Sequence, residues 1–116
     1  MIPQAALAVV VACASAPLSL KQAEMLVLAA PNIRASVFDL GARPFFEWVH
    51  REAAGWHFDV NARNACPSDN ACSSLLGHYA VDRTTGEVED LDANGGDGAL
   101  VSSVEMKRLR TRFRTE

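Results

Sequence analysis

The stretch LLGHYAVDRTTGEVEDLD, Leu75 to Asp92, constrains this chain more than any other. Leu75 to Asp82 and Glu87 to Leu91 are two strand-like runs flanking Arg83-Thr84-Thr85-Gly86, and Gly86 can take the positive φ that a tight hairpin turn demands. An isolated hairpin is marginal in water, so it needs a further strand and an apolar cover. Upstream, WHFDVNA supplies the strand. Trp56, Phe58 and Val60 fall on one face at period two, and His57, Asp59 and Asn61 fall on the other. The expected core is an antiparallel sheet with one apolar face and one wet face.

The flanking segments supply the cover. Leu18 to Ala30 is rich in helix formers, with Leu20, Met25 and Leu28 available for an apolar face, and Pro31 ends it. The next run breaks at Gly41. Pro44 then suits the first turn of another helix, with Phe45, Trp48, Val49 and Glu52 at helical spacing and Gly55 placed to stop it. Phe45, Phe46 and Trp48 are expected in the core. After the glycine-rich NGGDG loop, Ser102 and Ser103 precede a helix with Glu105 in its first turn and an apolar stripe of Met106, Leu109 and Phe113. Lys107, Arg108, Arg110, Arg112 and Arg114 crowd its last turns, where cations favour the helix dipole. The expected fold is α+β, helices packed on a small antiparallel sheet, as one domain over residues 17–116.

With 116 residues the chain has room for a single core, and a net charge of -3 disfavours general nucleic-acid binding. Residues 5–16, AALAVVVACASA, form an uncharged apolar run ending in an A-x-A-like pattern, so residues 1–16 are expected to be an export signal. Within it, Val10-Val11-Ala12-Cys13 resembles a bacterial lipobox with Cys13 as the lipidated residue, although the first basic residue is Lys21. The expected location is the periplasm, with an outer-membrane lipid anchor only if Cys13 is the lipidated residue; the alternative reading of this run is a hydrophobic first helix. Two further thiols, Cys66 and Cys72, then form a disulfide in an oxidising compartment. Their C-x5-C spacing fits neither a zinc knuckle nor a C-x-x-C redox pair.

Asp90, Asp92 and Asn94 begin a D-x-D-x-N-G calcium pattern, but Val101 stands where a bidentate glutamate belongs, which favours a simple glycine turn. No G-x-S-x-G, H-E-x-x-H or P-loop occurs. His57 and His78 each alternate with core residues, the pattern of a solvent-facing strand position. No catalytic residue, metal or cofactor is expected.

Together, the lipobox-like start, the stapled loop and the hairpin G-x-Y-x-V-D-R-x-T-G-E-V (Gly77 to Val88) resemble small bacterial envelope lipoproteins. Among these the chain is most similar to effector-immunity and lysozyme-inhibitor-like proteins. A comparable hairpin also occurs in PepSY-type and in cystatin-like or NTF2-like modules, which are the alternative folds. The resemblance implies a non-catalytic monomer or homodimer that inserts a loop or strand edge into a secreted antibacterial effector, such as a cell-wall-directed hydrolase. Pro67, Ser68, Asp69 and Asn70 of the stapled loop, with His78, Asp82, Arg83, Glu87 and Glu89 of the hairpin, are the partner-binding residues it would use. The alternatives are an accessory lipoprotein of an envelope or secretion assembly, and an exported enzyme built around His57 and His78.

Overall fold

In the computed structural model, residues 16–63 and 74–115 are described. The expected signal segment with Cys13, and the loop with Cys66, Pro67, Ser68, Asp69, Asn70 and Cys72, lie outside them. The order is α1 (Leu20–Leu28), α2 (Pro31–Leu40), β1 (Pro44–Arg51), β2 (Gly55–Ala62), β3 (Leu75–Asp82), β4 (Val88–Asp90), a short 3-10 turn (Ala93–Gly96), β5 (Ala99–Val101) and α3 (Val104–Thr115). The strands form a five-stranded antiparallel meander in chain order. The fold is α+β, as the period change in the sequence implies.

The hairpin forms where its sequence places it. Asp82 opens the turn by accepting from the backbone N–H groups of Thr84 and Thr85 at 2.8 and 2.9 Å, and the Gly86 N–H closes it onto the Asp82 carbonyl at 2.9 Å. Gly86 has φ +76, a conformation that costs a side-chain-bearing residue. On β2, Trp56, Phe58 and Val60 are buried, and the register sets them against Val81, Tyr79 and Gly77 of β3. Phe58 is fully buried, worth roughly 1.5–3 kcal/mol relative to exposure.

Three helices cover that apolar face. Ser19 and Gln22 form a capping box that starts α1 at Leu20. The face α1 buries is Ala23, Leu26 and Val27, whereas Leu20 and Leu28 are exposed. The expected stripe of Leu20, Met25 and Leu28 is thus rotated, with only Met25 packed against the core. Pro31 ends α1 and is also the first residue of α2, where its missing N–H costs nothing. Gly41, at φ +66, caps α2 in the left-handed region. In α3, Met106, Leu109 and Phe113 are buried as their spacing indicates. The Ser103 hydroxyl accepts from the Met106 N–H at 3.0 Å and donates to the Ala29 carbonyl at 3.1 Å, so one side chain starts α3 and ties it to the end of α1.

The helix expected from Pro44 to Glu52 is a strand. Phe45, Trp48 and Val49 have i,i+3 spacing because β1 carries an irregularity: Phe46 pairs with Val60 and Trp48 with Asp59, leaving Glu47 as the extra residue. A one-residue insertion turns the i,i+2 step of a strand into i,i+3, which resembles a helical stripe in sequence. Phe46 packs against the core, its ring 5.1 Å from that of Phe58, but Trp48 is 49 % exposed. Gly55 stops no helix; it begins β2 after a tight Glu52–Gly55 turn. A Cβ there would sit 1.7 Å from the Val81 carbonyl oxygen, so only glycine lets β3 approach.

Candidate functional site: the open face of the sheet

Residues opposite one another in an antiparallel ladder point to the same side. Trp48 pairs with Asp59 and Asp59 with His78; His50 pairs with His57 and His57 with Ala80; Ala80 pairs with Glu89 and Glu89 with Leu100. These positions share the face opposite the helices. The core cluster packs against the helices on the other side, and among the described residues no helix packs here. The chain's three histidines, His50, His57 and His78, therefore gather on one surface.

The indole of Trp48 stacks on the His50 imidazole, centroids 5.2 Å apart and planes 2° from parallel. His57 Nε2 lies 3.3 Å from a Glu52 carboxylate oxygen. His78 is held between two acids: its Nδ1 is 3.0 Å from both Asp92 oxygens, its Nε2 is 3.7 Å from Asp59, and its backbone N–H donates to Asp92 at 3.2 Å. Both ring nitrogens thus face carboxylates. Among the described residues neither is aimed at a hydroxyl or thiol, the geometry that nucleophilic catalysis requires.

Toward the hairpin end, the face sinks into an open groove of about 310 Å³ whose lining includes Glu52, His57, Asp82, Glu87, Glu89 and Leu100. Asp82 has its carboxyl held below the usual range, chiefly by the Thr85 backbone N–H and also by the Thr84 N–H and the Thr85 hydroxyl, against the opposing effect of burial. Its first task is the turn. Glu87 and Glu89 are different: among the described residues, neither carboxylate has a hydrogen-bond or ion-pair partner.

At the opposite end, Asn61 departs from its expected solvent-facing position. It is 6 % exposed, donates from its amide to Glu47, and accepts from the Ser74 hydroxyl at 3.0 Å. Arg63 lies over the Phe45 ring at 4.4 Å. This fixes the strand ends from which the Cys66–Cys72 loop departs.

Of the expected partner-binding residues, His78, Asp82, Glu87 and Glu89 share this face or its groove. Arg83 is tied by its backbone instead, its N–H to Ala54 at 2.8 Å and its carbonyl accepting from Leu18 at 2.7 Å. Trp48, His50, His57, Asp59 and Leu100 belong to the same surface without having been singled out as partner-binding. The alternation on β2 placed His57 and Asp59 correctly, but Trp48 and His50 were hidden by the helical spacing of β1.

The D-x-D-x-N-G segment is engaged internally. Asp90 accepts from the Asp92 N–H at 3.0 Å, Asp92 holds His78, and Asn94 donates to the Gly98 carbonyl at 3.3 Å. Among the described residues no group of three acidic, histidine or cysteine side chains is arranged to hold a metal ion. In α3, Arg108 pairs with Glu105 at 3.2 Å and Arg110 donates to the Gly86 carbonyl at 3.4 Å, while Lys107, Arg112 and Arg114 are exposed. No helix among the described residues is long and apolar enough to cross a membrane.

Comparison with protein-family models, with curated proteins and with solved structures returned no match.

Proposed function

We propose that this chain is a non-catalytic binding protein that docks a secreted antibacterial effector, a cell-wall-directed hydrolase, on the open face of its sheet and blocks it in the periplasm. The observation that carries the reading is the face itself. It combines a half-exposed tryptophan, three histidines and a carboxylate-lined groove on a surface that no described helix covers. Exposed aromatic anchors ringed by polar groups are characteristic of protein interfaces. A five-stranded sheet also holds those groups in fixed register, which lowers the ordering cost of binding. Pro67, Ser68, Asp69 and Asn70, between β2 and β3 in the sequence, are assigned to the same interface.

The test is capture by the full chain from competitor secretomes, followed by assay of the captured hydrolase within the complex. Loss of hydrolase activity, restored by Trp48→Ala with His78→Ala, supports the reading. A captured hydrolase that stays fully active refutes it.

A second reading, an accessory component of an envelope assembly, is favoured by α2. Phe38 and Leu40 are 71 % and 81 % exposed there, and Ile33 is the one buried side chain of that helix. Capture of envelope scaffold proteins alone would move the function to that surface.

A further inference from the structure

We infer that the groove at the hairpin end of the open face is a receptor for an arginine side chain projected by a basic partner protein. The inference rests on the docking role proposed for this face and specifies its chemistry.

Four carboxylate residues line the groove, Glu52, Asp82, Glu87 and Glu89, against a single imidazole, His57. Glu52 is engaged with His57 and Asp82 with its own turn. Glu87 and Glu89 remain. They flank the inward-facing Val88, so they project to the same side of β4, and neither has a cationic partner among the described residues. Like charges two residues apart on a strand repel, and a cation between them relieves the repulsion. Arg110 of α3, which lines a neighbouring hollow together with Glu87, donates to the Gly86 carbonyl instead.

Groove shape selects among cations. Among the described residues no group of three acidic or histidine side chains is arranged to hold a metal ion, and the Glu89 carboxylate lies against Gly98. A compact divalent ion needs converging oxygens. A guanidinium presents five N–H donors in a planar fork and can reach separated acceptors at once. Ala54, Ala80 and Leu100 form an apolar lining against which the methylene stem of an arginine can lie. A volume of about 310 Å³ admits such a side chain with part of its backbone.

The experiment is a nitrogen-15 NMR titration of the full chain with an acetylated, amidated Leu-Arg-Leu peptide, its citrulline counterpart and its lysine counterpart. The expected result is saturable shifts at the His57, Ala80 and Glu89 amides with the arginine peptide, and a response at least about tenfold weaker with citrulline, which keeps the shape and loses the charge. Glu87→Gln with Glu89→Gln abolishes the shifts, whereas Asp97→Asn, at an exposed acid outside the groove, leaves them. Equal response to citrulline, or no response at millimolar peptide, overturns the inference. So does a concentration-dependent shift of α3 amides without peptide, which would show a second copy's basic helix in the groove. A hydrolase still inhibited by the Glu87→Gln, Glu89→Gln protein overturns the arginine site alone and leaves docking on the face intact.

Discussion

Tyr79 is expected to make the folded state sensitive to alkali. It is the chain's single tyrosine and is 1 % exposed, its ring lying over Gly77, where a Cβ would meet the Tyr79 ring at 2.7 Å. Its hydroxyl hydrogen-bonds with Asn32, whose amide also donates to Asp90 at 3.3 Å. Burial, reinforced by the negative charges of Asp90 and Asp92, pushes the phenol from 10.0 up to about 12, with the Asn32 contact acting in the other direction. A group that ionises less readily when folded contributes its full stabilisation below the unfolded value. That contribution is lost as pH rises from 10.0 through about 12. At about 1.4 kcal/mol per pH unit, the loss over this window is on the order of 2–3 kcal/mol. Two assays report on it. Near-ultraviolet phenolate absorbance follows Tyr79 directly, with a native midpoint near the top of the window and a midpoint at its bottom in urea. Urea unfolding across the window should show stability falling with pH in the parent and a flatter dependence in Tyr79→Phe. At neutral pH the same substitution costs about 1 kcal/mol for the lost hydrogen bond. A native midpoint near 10.0, or identical alkaline slopes in the two proteins, would refute this account of the Tyr79 environment.

Asp82 has the opposite sign. Its depressed carboxyl stabilises the hairpin above the ordinary value of 3.8 and ceases to do so as pH falls through the folded value, so Asp82→Asn should flatten the acid limb of a urea-stability profile. Gly55→Ala forces a methyl carbon to within 1.7 Å of the Val81 carbonyl, and the sheet should lose about 3 kcal/mol or more by chemical denaturation, or fail to fold. Ser103→Ala removes the α3 cap and the link to Ala29 together, a loss of about 1–2 kcal/mol. Thr or Asp at that position should recover the capping part, and unchanged stability in the alanine variant would deny the link any energetic role.

How much of this was legible in the sequence depends on whether the signal was local. The hairpin was, because Asp82 and Gly86 specify its turn within five consecutive residues. The α3 stripe was also legible, since Met106, Leu109 and Phe113 keep helical period up to the end of the helix. β1 was not. The extra residue at Glu47 moves Phe45 to Trp48 and Phe46 to Val49 three apart, and only the ladder with β2 reveals the irregularity. Pro31 was visible as a stop but not as a start, because the same residue serves two helices. The open face was half legible. Alternation put His57 and Asp59 outward, but the register that sets His50 beside His57 and Asp59 beside His78 arises from pairing between distant strands.

The tie between Ser103 and Ala29 has a consequence for biosynthesis. The two ends of the described chain meet in one core, where Leu26 and Val27 of α1 share a cluster with Met106, Leu109 and Phe113 of α3. On the ribosome the meander can pair strand by strand as it emerges, but the apolar side of that sheet stays incompletely covered until Phe113 has left the exit tunnel. Until then the nascent sheet is an unfinished, adhesive surface, and whatever escorts it must hold on until α3 arrives.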